Sequence, residues 1–132
     1  MATGSIEATR HAPAYSSEQL QAYFALIGLP KQFWPAAQPP SDLTLLTALH
    51  VYTISTIPYE NVSLHYSPTR EISLDPQRIY AKFTRNGRGG YCFEHGIFFN
   101  HVLRAMGFSA YLSAVRIRLR VDGVPVGEYT GL

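Results

Sequence analysis

The chain has 132 residues, 46% of them hydrophobic and 15% charged, which supplies one folded core and excludes a disordered tail, a collagen-like repeat and a coiled coil. Eleven Lys+Arg against nine Asp+Glu leave a net charge of +2, too weak and scattered to argue for a nucleic-acid partner. One cysteine excludes an internal disulfide, and no apolar run approaches the ~20 residues of a membrane span or the core of a signal peptide, so a cytoplasmic protein without a membrane partner is expected.

Residues 1–15 show no hydrophobic period and read as a flexible arm. Ser16 followed by Gln19 predicts a capping box. The helix it opens carries Leu20, Tyr23, Phe24 and Ile27 at i, i+3, i+4 and i+7, and Gly28 and Pro30 end it. Residues 30–40 hold four of the nine prolines and read as an irregular connector. Ser41 is the expected cap of a second helix, with Leu43, Leu46, Leu49, His50, Thr53 and Ile57 on one side and Pro58 as its stop. Glu71 to Leu74 fits a short strand. Asp75-Pro76 starts a third helix, which carries Ile79 and Phe83 to Asn86-Gly87. A glycine-rich turn, residues 87–90, leads into a fourth helix from about Tyr91 to Met106, with Phe93, Ile97, Phe98, His101, Val102 and Ala105 as its stripe and Gly107 as its stop.

After Gly107 the period changes from 3.6 to 2. Tyr111, Ser113, Val115, Ile117, Leu119 and Val121 alternate with Leu112, Ala114, Arg116, Arg118 and Arg120, and Asp122-Gly123 reads as a hairpin turn. Pro125 restricts the returning run to a short or edge strand. One long strand with one weak partner is not independently stable, so the sequence reads as a polypeptide without its second half. It contains no internal repeat.

The segment that carries chemistry is Arg88-Gly89-Gly90-Tyr91-Cys92-Phe93-Glu94-His95. A thiol attacks as thiolate, and Cys92 falls in the first turn of a predicted helix, where unpaired N–H groups and the dipole favour an anion. Gly89 and Gly90 allow close backbone approach to a substrate, and Arg88 adds positive charge. The competing reading is a buried cysteine that only fills space. No Gly-Lys-Ser/Thr follows the glycines, which argues against a nucleotide P-loop.

The segment R-G-G-Y-C-F-E resembles the active-site motif of the arylamine N-acetyltransferases. Ala22 to Leu29 resembles that family's "Y-x-x-R-I-G-L" pattern with Ala25 in place of the Arg, and Leu49-His50 through Ile57-Pro58-Tyr59-Glu60-Asn61 resembles "L-H … I-P-F-E-N" with Tyr59 in place of the Phe. Gly107-Phe108 and Ala114-Val115-Arg116 also fit, so the likeness covers residues 15–120. It implies an α+β, cysteine-proteinase-like architecture: a helical N-terminal domain at residues 16–108, then the first strand and hairpin of a β-barrel at 109–132. It also implies ping-pong transfer of acetyl from acetyl-CoA through a Cys92 thioester to an arylamine, arylhydrazine or N-hydroxyarylamine, with no permanently bound cofactor and no metal.

In the family a His about forty residues after the Cys and an Asp about fifteen further complete a triad with it. That spacing lands on Glu128 to Leu132, which include no histidine, and Asp122 stands too early and in a turn. The chain as it stands is therefore expected to lack two triad members and to be inactive alone. A competing function is a non-catalytic fragment or pseudoenzyme that binds a partner or a full-length copy. A third is a different Cys hydrolase or a transglutaminase-like enzyme, with no use of CoA.

Other residues read more plainly. His95, three residues after Cys92, is a neighbour on a helix, but with no third group to orient it, it reads as a hydrogen-bonded helix histidine. Cys92 and His95 alone fall short of the three protein ligands zinc requires. His50 and His101 read as satisfied core histidines, while His11 and His65 fall in arms and loops. By the resemblance, Glu60 and Arg88 are expected to pair and support the catalytic turn; Glu94 receives no catalytic role. Arg116, Arg118 and Arg120 read as a solvated edge face ahead of a CoA-phosphate site. Strands over 109–121 should expose an apolar face and promote self-association.

Overall fold

A computed structural model of the chain describes residues 14–66, 68–69, 72–113, 115 and 117–130. Helix α1 (Ser17–Ile27) opens with the predicted reciprocal cap: Ser16 Oγ accepts from the Gln19 N–H at 3.2 Å, and Gln19 Oε1 accepts from the Ser16 N–H at 3.0 Å. Gly28, at φ 72°, takes the left-handed conformation that ends it. Its buried residues are the expected Leu20, Tyr23, Phe24 and Ile27. Tyr15, assigned to the arm, belongs to the core instead. Its hydroxyl donates to the Pro76 carbonyl at 2.8 Å, and its ring packs on Tyr80 and Phe98. A single aromatic buries a large apolar area without needing a periodic pattern around it.

The connector is more regular than expected, with single 3₁₀ turns at Lys31–Phe33 and Pro35–Ala37. Proline at a first helical position loses no hydrogen bond, so its presence there is compatible with a tight turn. Trp34 Nε1 donates to the Leu29 carbonyl at 2.8 Å and holds the connector against α1.

Helix α2 (Leu43–Thr56) is capped by Asp42, whose Oδ1 accepts from the Leu45 N–H at 3.0 Å. Ser41, the predicted cap, donates to the Met106 carbonyl at 2.8 Å and so ties the two helix ends together. The buried face is Leu45, Ala48, Leu49 and Thr53, while Leu43 is 75% exposed and His50 is exposed rather than in the core. Apolar residues surround this helix, so period alone leaves its inward face ambiguous. Thr53 and Tyr23 share a hydroxyl hydrogen bond that joins α2 to α1.

A short helix α3 (Val62–Tyr66) follows. Ile72 to Leu74 form no strand, and Glu71 lies outside the described residues. Helix α4 (Pro76–Tyr80) has Asp75 as cap and Pro76 in its first turn, as expected, and runs into a π-helical turn at Ala81–Arg85. Asn86 N–H to Ala81 carbonyl, 3.1 Å, is the i→i+5 bond that marks it. Helix α5 (Cys92–Ala105) buries Phe98 and Val102, but also Glu94, His95 and Asn100, whereas Phe93 is 45% exposed.

Strands β1 (Ile117–Val121) and β2 (Val124–Thr130) form one antiparallel pair. Asp122 at φ 49° and Gly123 at φ 80° make the two-residue turn in the predicted place. The strand begins later than expected: residues 109–113 are not strand, and Ala114 and Arg116 lie outside the described residues. Register shifts between Arg118 and Arg120, opposite Gly127 at φ 70°, the mark of a bulge. The fold is α+β, with a core that includes Tyr23, Phe24, Leu49, Phe83, Phe98 and Val102. Among the described residues, no helix is long and apolar enough to cross a membrane.

Candidate active site

Two backbone segments meet where the site forms. Gly90 N–H donates to the Pro58 carbonyl at 3.2 Å and Glu60 N–H to the Gly90 carbonyl at 2.8 Å, a one-rung parallel bridge between the residues after α2 and the turn before α5. This contact leaves no room for side chains. A Cβ on Gly89 would overlap the Pro58 carbonyl, and one on Gly90 would meet the Glu94 carboxylate. The space beside both glycines is thus filled by protein, not left open for a substrate.

Four charges tie the turn down. Arg88 Nη2 donates to both Glu60 oxygens at 3.0 and 3.2 Å, the expected pair, and also to Ser63 Oγ of α3 at 3.1 Å. Lys82 Nζ, in the π turn, donates to both oxygens of Glu94 at 2.8 and 3.1 Å and lies 3.7 Å from Glu60. Glu94 is buried, and its Oε1 accepts from the Tyr91 N–H at 3.3 Å, satisfying an orphan donor at the start of α5. Sequence reasoning paired Glu60 with Arg88 but missed Lys82 and Ser63. The available signal was Glu94 at the third position of a helix, where an acid reaches back to the cap.

Cys92 is the first residue of α5, and its side chain is exposed. Burial, followed by the negative charge of Glu94, pushes the pKa of the neighbouring Tyr91 phenol up. Beside the thiol is an open cleft of about 300 Å³, walled in part by Tyr59, His95, Phe99, Tyr111 and Leu112, with His50 also on its lining.

The histidines sort by what they touch. His95 Nε2 lies 3.0 Å from the Pro58 carbonyl, which only accepts, so that nitrogen carries the hydrogen. Its ring stacks on Tyr59 at 4.0 Å with planes 8° apart. His95 is thus the hydrogen-bonded helix histidine the sequence predicts. His101 Nδ1 accepts from the Ala14 N–H at 3.3 Å, and burial together with the Arg104 charge pushes its pKa down. His65 lies on α3 and is exposed, while His11 lies outside the described residues. Among the described residues, no three His, Cys, Asp or Glu side chains cluster to hold a metal. Arg118 and Arg120 are exposed on β1, and Arg118 Nε donates to the Gly127 carbonyl at 2.9 Å.

A helix start is one of the settings in which a cysteine thiol is activated as a nucleophile. The family model described as N-acetyltransferase matches residues 42–124, which contain every element of this site. An N-malonyltransferase, FDB2 of Gibberella moniliformis, is 34% identical over 122 residues, 84% of this chain and 35% of that protein. The arylamine N-acetyltransferase of Escherichia coli (strain K12) is 40% identical over 90 residues, 68% of this chain and 29% of that protein. The liver isozyme of arylamine N-acetyltransferase from Gallus gallus is 35% identical over 89 residues, 67% of this chain and 29% of its own length. The chain belongs to the arylamine N-acetyltransferase family. It spans about a third of the length of the curated relatives it matches.

Proposed function

We propose that Cys92 is the acyl-carrying nucleophile of an N-acyltransferase. The observation that carries this reading is the exposed thiol at the first residue of α5, opening on a cleft with aromatic walls. In the first half-reaction the sulfur attacks the thioester carbonyl of acetyl-CoA, the bond to the CoA sulfur breaks, and CoA leaves as its thiol. In the second, an amine nitrogen attacks the Cys92 thioester, the sulfur leaves, and the nitrogen gives up a proton. The cycle returns the free thiol and needs no bound cofactor.

The acceptor class is an arylamine, arylhydrazine or N-hydroxyarylamine, which the aromatic walls of the cleft suit. Acetyl is the proposed acyl group; the relative named N-malonyltransferase makes malonyl the one to test beside it. A base must take the proton from the attacking groups, and the proposed one is the Asp-oriented histidine that the family resemblance implies. His95 gives its Nε2–H to the Pro58 carbonyl and keeps only Nδ1 to accept a proton. The proposed setting is the cytoplasm, where a lone thiol stays reduced.

The test has two stages. The coding sequence past Leu132 should specify a His within a few codons and an Asp about fifteen further on. The polypeptide so specified, incubated with acetyl-CoA or malonyl-CoA, should carry one acyl group on Cys92, and the Cys92→Ser variant none. A stop codon at that point favours the non-catalytic binding fragment. A polypeptide that carries both residues but forms no thioester overturns the acyl-carrier reading.

A further inference from the structure

Lys82 has no place in the acyl-transfer scheme, yet the structure puts it at the centre of the charges behind Cys92. It sits in the π-helical turn, a rare backbone form that is frequent at functional sites. Its ammonium reaches both oxygens of Glu94, at 2.8 and 3.1 Å, and neither side chain is open to solvent: 15% of Lys82 and 3% of Glu94 is exposed. Glu94 in turn holds the Tyr91 N–H, one residue before Cys92. A buried carboxylate is a useful backbone clamp, but at this place it is also a negative charge two residues from a sulfur that must become negative itself. Like charges disfavour each other even where one of them, the Cys92 thiol, is exposed, and an opposite charge within bonding distance of the buried Glu94 reduces that penalty.

We propose that Lys82 is a positioning residue for Cys92: its ammonium neutralises the Glu94 carboxylate, so that Glu94 fixes the start of α5 without opposing negative charge on the thiol. The proposal rests on Cys92 being the nucleophile. Other titratable groups near the sulfur are Tyr91 and His95 on α5, Tyr59 before α3, His50 on α2 and Tyr111 after α5, with Glu60 and Arg88 behind the turn. Glu60 has Arg88 at 3.0 Å and Lys82 at 3.7 Å, whereas Lys82, at 2.8 Å, is the cation paired with Glu94 among the described residues.

The experiment is the rate of Cys92 alkylation by iodoacetamide at pH 7 in the 132-residue chain, followed by mass. Lys82→Met should slow alkylation about three- to tenfold, and Lys82→Arg should stay within about twofold of the unchanged chain. Glu94→Gln, which keeps an oxygen for the Tyr91 N–H, should raise the rate, and adding it to Lys82→Met should restore the lost reactivity. Opposite signs for Lys82→Met and Glu94→Gln are the signature of charge, because loss of a strut slows both. Slowing by both variants, or no change in either, overturns the proposal. Should Lys82→Met fail to fold, Glu94→Gln alone decides: a faster rate supports the proposal, and an equal or slower one overturns it. Absence of an acyl thioester in the acyl-CoA experiment defeats the acyl-carrier reading and leaves these rate ratios intact, so the two failures are distinguishable.

Discussion

At the scale of single residues, the glycine turn before α5 is constrained by space more than by charge. The Pro58 carbonyl occupies the position a Gly89 side chain would need, and the Glu94 carboxylate crowds the one at Gly90. Gly89→Ala should destabilise the chain by about 1–3 kcal/mol, read as a lower urea midpoint with unchanged slope, since overpacking forces the backbone apart. The Arg88–Glu60 pair is worth less than its position suggests, because 38% of the Arg88 side chain meets water. A double-mutant cycle on these two residues should give a coupling of about 1 kcal/mol, at the upper end for exposed pairs. The Arg88–Glu60 pair was legible through the resemblance of two motif segments of opposite charge, and the glycine turn before a helix marked where Cys92 would stand. Lys82 was not, because its contact with Glu94 depends on a π turn that leaves no mark in hydrophobic period. The glycines were legible as necessary, but the reason for them became visible only with Pro58 in place.

At the scale of elements, ends were easier to read than faces. The caps at Ser16 and Asp75 and the turn at Asp122-Gly123 follow from side-chain chemistry within a few residues, and all three occur as predicted. The inward faces of α2 and α5 depend on neighbours distant in sequence. On α2 the structure selects Leu45 and Leu49 over Leu43, and on α5 it buries Glu94 and His95, which find partners in Lys82 and Pro58. Contact between the start of the described chain and α5 has a pH signature. His101 accepts the Ala14 N–H, and burial, then Arg104, lowers its pKa in the fold below the ordinary 6.5. The unfolded chain therefore binds more protons as pH falls below 6.5, and the fold loses stability from there down to the lowered folded value. His101→Gln should remove that part of the pH dependence, seen as converging urea midpoints of the two chains as pH falls. A gap between them that stays constant with pH would contradict it.

At the scale of the whole molecule, a packed helical core carries a hairpin with little packed against it. Leu119, Val121 and Val124 are 65%, 53% and 61% exposed, and Tyr111 and Leu112 add apolar surface before the strands. A two-stranded sheet with an uncovered apolar face is marginal in water. Concentration-dependent association is therefore expected in sedimentation, weakened by Leu119→Lys; a single monomeric boundary at all concentrations would contradict it. Acyl transfer through Cys92 requires its sulfur to be a better nucleophile in the fold than outside it. The direct measurement treats the folded chain at neutral pH with an activated acetyl ester, p-nitrophenyl acetate, and maps the acetyl group by mass, with the urea-unfolded chain as reference. A hydroxylamine-labile acetyl on Cys92, formed at least severalfold faster in the fold, is the predicted result. Acetyl found only on amines, or a Cys92 that reacts no faster folded than unfolded, would contradict it.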